Sequence, residues 1–535
     1  MSSEYNISVP DLGRYFFLPN PGLRTFLYKN ETGVLQDVRT PFWNKAPREE
    51  VVRAWSIIFN KHSSMLHDDL VQLEIEQSDK IGRFSCMFPF NERFSDVESY
   101  YTLVGDYSLE GSQYYHDIRT ALDTVKRNET CRPGSIRLDF DIHSMKLNTN
   151  SGCPYFTRRN RVVKETLEEA SHVLLNPHEL SNYPCILGWR GQPVDKQRVV
   201  WMYPFTVNFL EGRYYRPRVK EIQKSNSNPA FIGPDAVDVR ITDLLTRKDS
   251  GQLVVSTDFT KFDQHFNGIL QDLSWELKYH FLSPKNRTPF EHKLHYNKFK
   301  IPIICTNKVM FEGKHGMSSG STGTNQDENE AHSVMQNTAA LLNRSELSPH
   351  STRLGDDGVL SYPGITVENV TEVYTKCFYQ EMNLEKQYAS NKSTRYLQKL
   401  YSLEYMVGGL CVGVYPTFRA LGRLLGQERF YDAKLWGPDQ VCLRAMSILE
   451  NCKHHPLFEI FVRFVISGDR YKLGILIPGF LDRIGKIKSI EQFELISAFS
   501  SYSRNLEFDH NGIGIKDWSV YKLLLKIRDE MRAGV

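Results

Sequence analysis

The stretch Leu354-Gly355-Asp356-Asp357-Gly358-Val359-Leu360 constrains this chain more than any other. Apolar residues flank a four-residue Gly-Asp-Asp-Gly turn, the pattern of a β-hairpin. Asp and Gly tolerate positive φ, so turn-making alone accounts for one Asp-Gly pair. It accounts less well for adjacent aspartates, because like charges at a tight turn repel. A divalent cation relieves that repulsion, and Mg²⁺ selects hard oxygen ligands. By itself the segment reads either as an ordinary turn or as a metal site.

Three other segments bear on that choice. In Leu253-Val254-Val255-Ser256-Thr257-Asp258 an apolar strand ends in an aspartate, and Asp263 follows five positions later. At the end of a buried strand Asp258 needs a partner or a metal to stay ionised; the alternative is a helix N-cap. The run Gly313 to Asn325 is rich in Gly, Ser and Thr, and reads as a flexible loop or a plain linker. A helix is predicted from about Thr324 to Leu342, with Ala331, Val334, Met335, Thr338, Ala339 and Leu342 on one buried face. Thr324 and Asp327 resemble a capping box, and Asp327, Glu328 and Glu330 suit the positive helix end. Gly-Lys-Ser/Thr is absent, so the loop is not a P-loop. Finally, Lys196 and Arg198 alternate on a strand-like run between Trp189 and Trp201 and share one side. They read as a triphosphate grip or as a basic edge strand.

Composition narrows the class. The 535 residues imply roughly three to five structural units, and 66 basic against 63 acidic residues leave a net charge of +3. That balance excludes a histone-like or a disordered acidic chain but permits a local basic groove. The nine cysteines form no C-x-x-C pair and are expected to be reduced, partly buried thiols. Met1 to Tyr15 lacks the pattern of a secretory signal, and Leu457 to Ile466 is too short and too charged to span a bilayer. Helical periodicity is predicted at Arg48 to Phe59 and dominates after about residue 405. Pro438 to Glu450 has Val441, Ala445, Ile448 and Leu449 on one face, and Val520, Leu524, Ile527 and Met531 make a similar stripe.

The order of these parts is informative. A basic strand, D-x4-D, a Ser-Gly loop opening a helix, then a Gly-Asp-Asp hairpin resembles the right-handed RNA-dependent RNA polymerases of RNA viruses. Asp-Phe-Thr-Lys-Phe-Asp-Gln-His-Phe, Ser-Gly-Ser-Thr-Gly-Thr-Asn and Gly-Asp-Asp-Gly-Val look most like the polymerases of picobirnaviruses, whose genome is segmented double-stranded RNA. The recognisable motifs cover about residues 148–405.

The resemblance implies an α+β right-handed polymerase fold. The palm, a small antiparallel sheet with helices, would be 213–269 and 316–405; the fingers, 81–212 and 270–315; a mostly helical thumb, 406–535. Residues 1–80 would be an N-terminal extension able to bridge fingers and thumb. Asp258, Asp356 and Asp357 resemble the ligands of two Mg²⁺ ions (or Mn²⁺), with Asp357 accessory. In the family the ions sit roughly 3.5–4 Å apart and clamp attacking and leaving oxygens. Asp263 resembles the residue that senses the ribose 2′-hydroxyl, supported by Ser319 and Thr324. Relatives often place an asparagine where this chain has Glu328, so Asn325 is the expected partner of Asp263, with Asn329 the alternative. Arg198, Lys196 and Arg190 resemble the triphosphate contacts. Asn148 to Tyr155, with Ser151, Gly152 and Pro154, resembles the template-guiding loop. Lys386 resembles the lysine that protonates pyrophosphate, with Lys392 a competitor, and Tyr396 to Lys399 a primer-gripping hairpin.

The implied partners are template and nascent RNA, NTPs and a viral capsid protein, with no membrane. The implied location is the virion interior and the host cytoplasm, and RNA synthesis is expected to start without a primer. A reverse transcriptase would carry a bulky aromatic at Asp263. A non-catalytic RNA-binding or capsid-associated protein of this fold would have no need of Asp258, Asp356 and Asp357.

Overall fold

The computed structural model describes residues 5–34, 39–43, 46–83, 87–191, 197–427, 436–487 and 514–534. The chain divides into two compact units. One comprises Met1–Leu35, Met87–Arg190 and Arg198–Leu397; the other Gln36–Cys86, Gly191–Gln197 and Gln398–Val535. Helices and strands are mixed, as expected of an α+β chain.

Two sheets shape the first unit. Strands β1 (Tyr5–Ser8), β2 (Cys185–Gly191), β3 (Gln197–Met202), β6 (Ile303–Ile304) and β7 (Met310–Gly313) lie in the order β1-β7-β6-β2-β3. Strands β4 (Val254–Thr257), β8 (Thr352–Leu354), β9 (Asp357–Leu360) and β11 (Tyr388–Ser390) form an antiparallel sheet in the order β11-β4-β9-β8. Strand β4 is buried at all four positions; Val254 and Val255 are apolar, and the hydroxyls of Ser256 and Thr257 find partners in Thr394 Oγ1 at 2.8 Å and Gly358 O at 3.3 Å. A short pair, β5 (Phe259–Thr260) and β10 (Glu381–Met382), continues from β4.

The helix Thr324–Leu342 has the predicted bounds but not the predicted single buried face: every residue from Gln326 to Gln336 is buried. The helices Tyr115–Asn128, Gly268–Phe281 and Val367–Phe378 and strand β8 all pack against it. Its polar side chains are tolerated there because each finds a partner. Asp327 accepts from Lys298 and from the Tyr215 hydroxyl at 2.8 Å, Glu330 meets Arg218 at 3.0 Å, and Asn329 accepts from Asn228 at 2.7 Å. The predicted capping box does not form. Gly323 is the N-cap without a side-chain bond, and Asp327 is committed to Lys298.

The second unit is mainly helical. Helices Arg48–His62, Asp68–Ser78, Thr417–Leu425, Pro438–Glu450, Phe458–Ser467 and Ser519–Ala533 share a core that includes Trp55, Phe59, Leu70, Phe418, Leu449 and Phe461. Of the predicted C-terminal stripe, Val520, Leu524 and Ile527 are buried and Met531 is exposed. Buried Glu74 caps the helix Thr417–Leu425, accepting from Thr417 N at 2.6 Å and Phe418 N at 3.0 Å. The eight described cysteines are buried, and no helix among the described residues is long and apolar enough to cross a membrane.

Candidate active site

The site begins with strand register. Thr257 pairs with Gly358, so Asp258, one step beyond the end of β4, comes level with Asp357, the first residue of β9. Leu354 pairs with Asp357, so Gly355 and Asp356 alone make the turn, tighter than the four-residue turn read from sequence. Gly355 has φ 64°, which explains glycine there. Three aspartates from two adjacent strands therefore meet at one end of a sheet.

The turn rests on a histidine. His332 Nδ1 lies 2.9 Å from the Gly355 carbonyl oxygen, which can only accept, so Nδ1 carries the proton. Burial holds the imidazole down at about 4 despite that bond, leaving it neutral.

Asp263 is tied to the Ser-Gly loop twice. Its carbonyl accepts from Met317 N at 2.7 Å, and Ser319 Oγ donates to its carboxylate. Glu328, not Asn325, is the helix residue that meets it. Burial, then the charges of Asp263 and Asp356, then a hydrogen bond with Asp263, push the Glu328 carboxyl well above its ordinary range. Asn325 is exposed, and Asn329 faces Asn228. Tyr100, buried in the helix Phe90–Thr102, is raised by burial and then by the Asp263 charge.

Asp356 keeps accessible surface at the tip of the turn, but the surrounding protein strips part of its hydration. That desolvation, then the charge of Asp263 and more weakly Asp258, raises its pKa, while Arg198 on β3 pulls it down. The result is a concentration of carboxylates around Asp356 whose repulsion Arg198 partly offsets.

The remaining candidates fall around this centre. Lys386 is exposed on a short turn, Leu384–Lys386, and its neighbour Gln387 clamps the Asp258 backbone. Gln387 Nε2 donates to Asp258 O at 2.8 Å and Gln387 Oε1 accepts from Asp258 N at 2.9 Å. Lys392 follows Ser390, which pairs with Val254, four residues before Asp258. At ~3.3 Å per residue that is about 13 Å along the sheet from the aspartates. Thr324 is half-buried, its hydroxyl 3.4 Å from Ser318 O. Ser151 is fully buried and its hydroxyl accepts from Thr157 N at 3.2 Å, so it shapes its loop from within. Gly152 has φ 64°, Pro154 is half-buried, and Lys196 lies outside the described residues. Leu397 and Gln398, central in the Tyr396–Lys399 turn, both have positive φ.

His332, Gln387 and Tyr100 were not singled out from sequence. His332 was the most legible of them, one helical turn after Glu328 and so on the same face.

A sequence model of the viral RNA-dependent RNA polymerase family matches residues 193–404. A protein of human picobirnavirus (strain Human/Thailand/Hy005102/-) named potential RNA-dependent RNA polymerase is 38% identical over 534 residues, covering 96% of this chain and 98% of its own. The chain belongs to the viral RNA-dependent RNA polymerases. It is an enzyme that synthesises RNA on an RNA template. Two crystal structures of a human picobirnavirus RNA-dependent RNA polymerase are similar along nearly the whole chain. The insertion-loop deletion mutant superposes with TM-score 0.83 at 35% identity, and the other with TM-score 0.82 at 36% identity; each comparison covers 97% of this chain and 100% of the other.

Polymerases of this family use divalent metal ions. Among the described residues, no three His, Cys, Asp or Glu side chains close into a finished metal cage. The donor set nonetheless fits Mg²⁺, which keeps several waters and is held by one or two carboxylates plus substrate phosphates. Desolvation and the charges of Asp263 and Asp258, which raise the Asp356 carboxyl, are what a bound cation would offset.

Proposed function

We propose that Asp258, Asp356 and Asp357 hold two Mg²⁺ ions and that this end of the β4–β9 ladder is where NTP is joined to an RNA 3′-hydroxyl. What carries the reading is the convergence of Asp258 and the Asp356–Asp357 turn beside the Asp263–Ser319 pair. Bound there, the ions would neutralise the carboxylates and favour charge on the attacking and leaving oxygens.

The chain's own groups do the rest. Asp263, oriented by Ser319 and backed by Glu328, accepts a hydrogen bond from the ribose 2′-hydroxyl. Thr324 and Asn325 line the same helix start. Arg198, with Lys196, holds the triphosphate, and Lys386 delivers a proton to pyrophosphate. The loop at Ser151, Gly152 and Pro154 guides the template. Catalysis of this kind depends mainly on positioning and charge stabilisation.

The palm would comprise 213–269 and 316–405, which hold the β11-β4-β9-β8 sheet; the fingers, 81–212 and 270–315; the thumb, 406–535. Residues 1–80 would be an N-terminal extension of the fold. Genome and transcript synthesis would take place in the virion interior, against capsid protein, and in the host cytoplasm.

The test is incorporation of labelled NTPs by the purified full chain on single-stranded RNA, with and without primer, in Mg²⁺. Product complementary to the template is expected in both cases. Strict need for a primer would remove the unprimed start. Absence of templated product, or extension undiminished in Asp258→Ala, would overturn the site.

A further inference from the structure

The sugar-sensing Ser319 belongs to a loop that has little internal structure to hold it in place. From Ser318 to Gly323 it runs without regular structure into the helix at Thr324. Besides Asp263 and the Lys298 carbonyl, which accepts from Ser318 Oγ, its anchors lie on the long helix Phe205–Ser225 and on Tyr203 just before it. Tyr203 OH and Ser318 Oγ are 2.7 Å apart. Asn208 Oδ1 accepts from Thr322 N at 3.0 Å and from Thr322 Oγ1 at 3.0 Å. Glu211 Oε2 accepts from Ser321 Oγ at 2.6 Å and from Thr322 N at 3.0 Å, while Ser321 Oγ itself accepts from Gly323 N at 3.0 Å. Glu211 is 1% exposed, and its other oxygen, Oε1, has no partner among the described residues. A buried carboxylate is costly unless bonded, so this acid is placed for the loop rather than for solubility.

The same segment also holds the loop assigned to the template. Phe205 N donates to Ser151 O at 2.8 Å, and a Cβ on Gly152 would lie 2.6 Å from Tyr203 O. Arg198 is on β3, which leads into this helix. Residues 198–211 thus pass in turn beneath the triphosphate, template and sugar elements.

We infer that Glu211 is a positioning residue for ribose selection. By holding Ser321 and Thr322 it fixes the loop that presents Ser319 to Asp263, and so sets the preference for NTP over dNTP without touching substrate. This rests on the reading of Asp263 and Ser319 as the sugar sensors.

The geometry separates this role from mere support. Glu211→Leu keeps the volume and removes the acceptor, Glu211→Gln keeps an acceptor in place, and Ser321→Ala removes only the loop's hydroxyl. Misplacement of reacting groups by about 1 Å can cost roughly 10²-fold, so even partial release of the loop should lower the NTP/dNTP ratio of kcat/KM about ten-fold. That fall is expected in Glu211→Leu and, more weakly, in Ser321→Ala, with RNA affinity and thermal midpoint near wild type and Glu211→Gln restoring the ratio. Should Glu211→Leu fail to fold, Ser321→Ala decides alone. Ser319→Ala and Asp263→Ala serve as references. If they lower the ratio while neither Glu211→Leu nor Ser321→Ala does, Glu211 is structural only and the inference falls. If the references leave the ratio unchanged, the sugar assignment fails first and takes this inference with it.

Discussion

Gly320→Ala is the sharpest test of how tightly the Ser-Gly loop is seated. A Cβ at this position would lie 1.8 Å from the Trp201 carbonyl oxygen and 2.9 Å from its carbonyl carbon. Trp201 is a backbone obstacle, on strand β3 and 1% exposed, so it cannot swing aside. Ordinary contact begins at 3.4 Å, so the loop must retreat by 3.4 − 1.8 = 1.6 Å. Ser319 is the adjacent residue, and a shift of that size breaks its bond to Asp263. A hydrogen bond to a charged group is worth about 1.5–3 kcal/mol. At about 1.4 kcal/mol per decade that is roughly one to two decades of rate. Displacement of a catalytic group by about 1 Å independently suggests roughly 10²-fold. Single-turnover incorporation of one NTP on a preformed primer–template, with thermal unfolding in parallel, measures both rate and fold. A rate within a few-fold of wild type in a folded Gly320→Ala would refute the claim that this close approach positions the loop.

Asp356→Ala should reduce incorporation to background while RNA affinity and its salt dependence persist, because strand binding rests on basic residues and phosphate contacts. Mg²⁺ at a hundred times its Kd should stabilise wild type by about 2.7 kcal/mol, and Asp356→Ala should lose that thermal shift. Glu328 gives a pH prediction with a definite sign. Its folded-state pKa is raised above the ordinary value of 4.5, so its contribution to stability is full below that pH and declines as pH rises from there toward the folded-state pKa. In Mg²⁺-free buffer, thermal midpoints of Glu328→Gln should lack that decline; identical pH profiles would mean Glu328 is ionised in the fold. Lys386→Leu should slow the chemical step by up to about 10²–10⁴-fold, with Lys392→Leu far milder. The reverse ranking would mean that the register of the 382–396 segment has been misassigned to function.

Local chemistry explains what was legible in the sequence. The apolar run before Asp258, the Gly-Asp-Asp hairpin and the Thr324–Leu342 helix each announce themselves through periodicity or turn residues over a few positions. The family followed from their order along the chain. Partners separated by long stretches of chain were not legible. Periodicity predicted one apolar face for the Thr324–Leu342 helix. Asp327 and Glu330 read as acids suited to the positive helix end because Lys298 and Arg218, which make their burial possible, are distant in sequence.

The site divides in the same way. Sequence by itself determined which carboxylates are present, that Asp356 sits in a glycine-led turn, and that Asp258 ends a buried strand. Tertiary structure decided that Asp258 stands level with Asp357, through a ladder joining residues 101 apart, as at Thr257 and Gly358. It also decided that Glu328 rather than Asn325 backs Asp263. Both lie on one helix at a spacing that puts them on nearby faces, so periodicity cannot choose between them. The choice is made by what covers each face. Glu328 is turned inward beneath the Gly355–Asp356 turn, where a Cβ on Gly355 would meet its Oε2 at 3.1 Å, and Asn325 is left facing water.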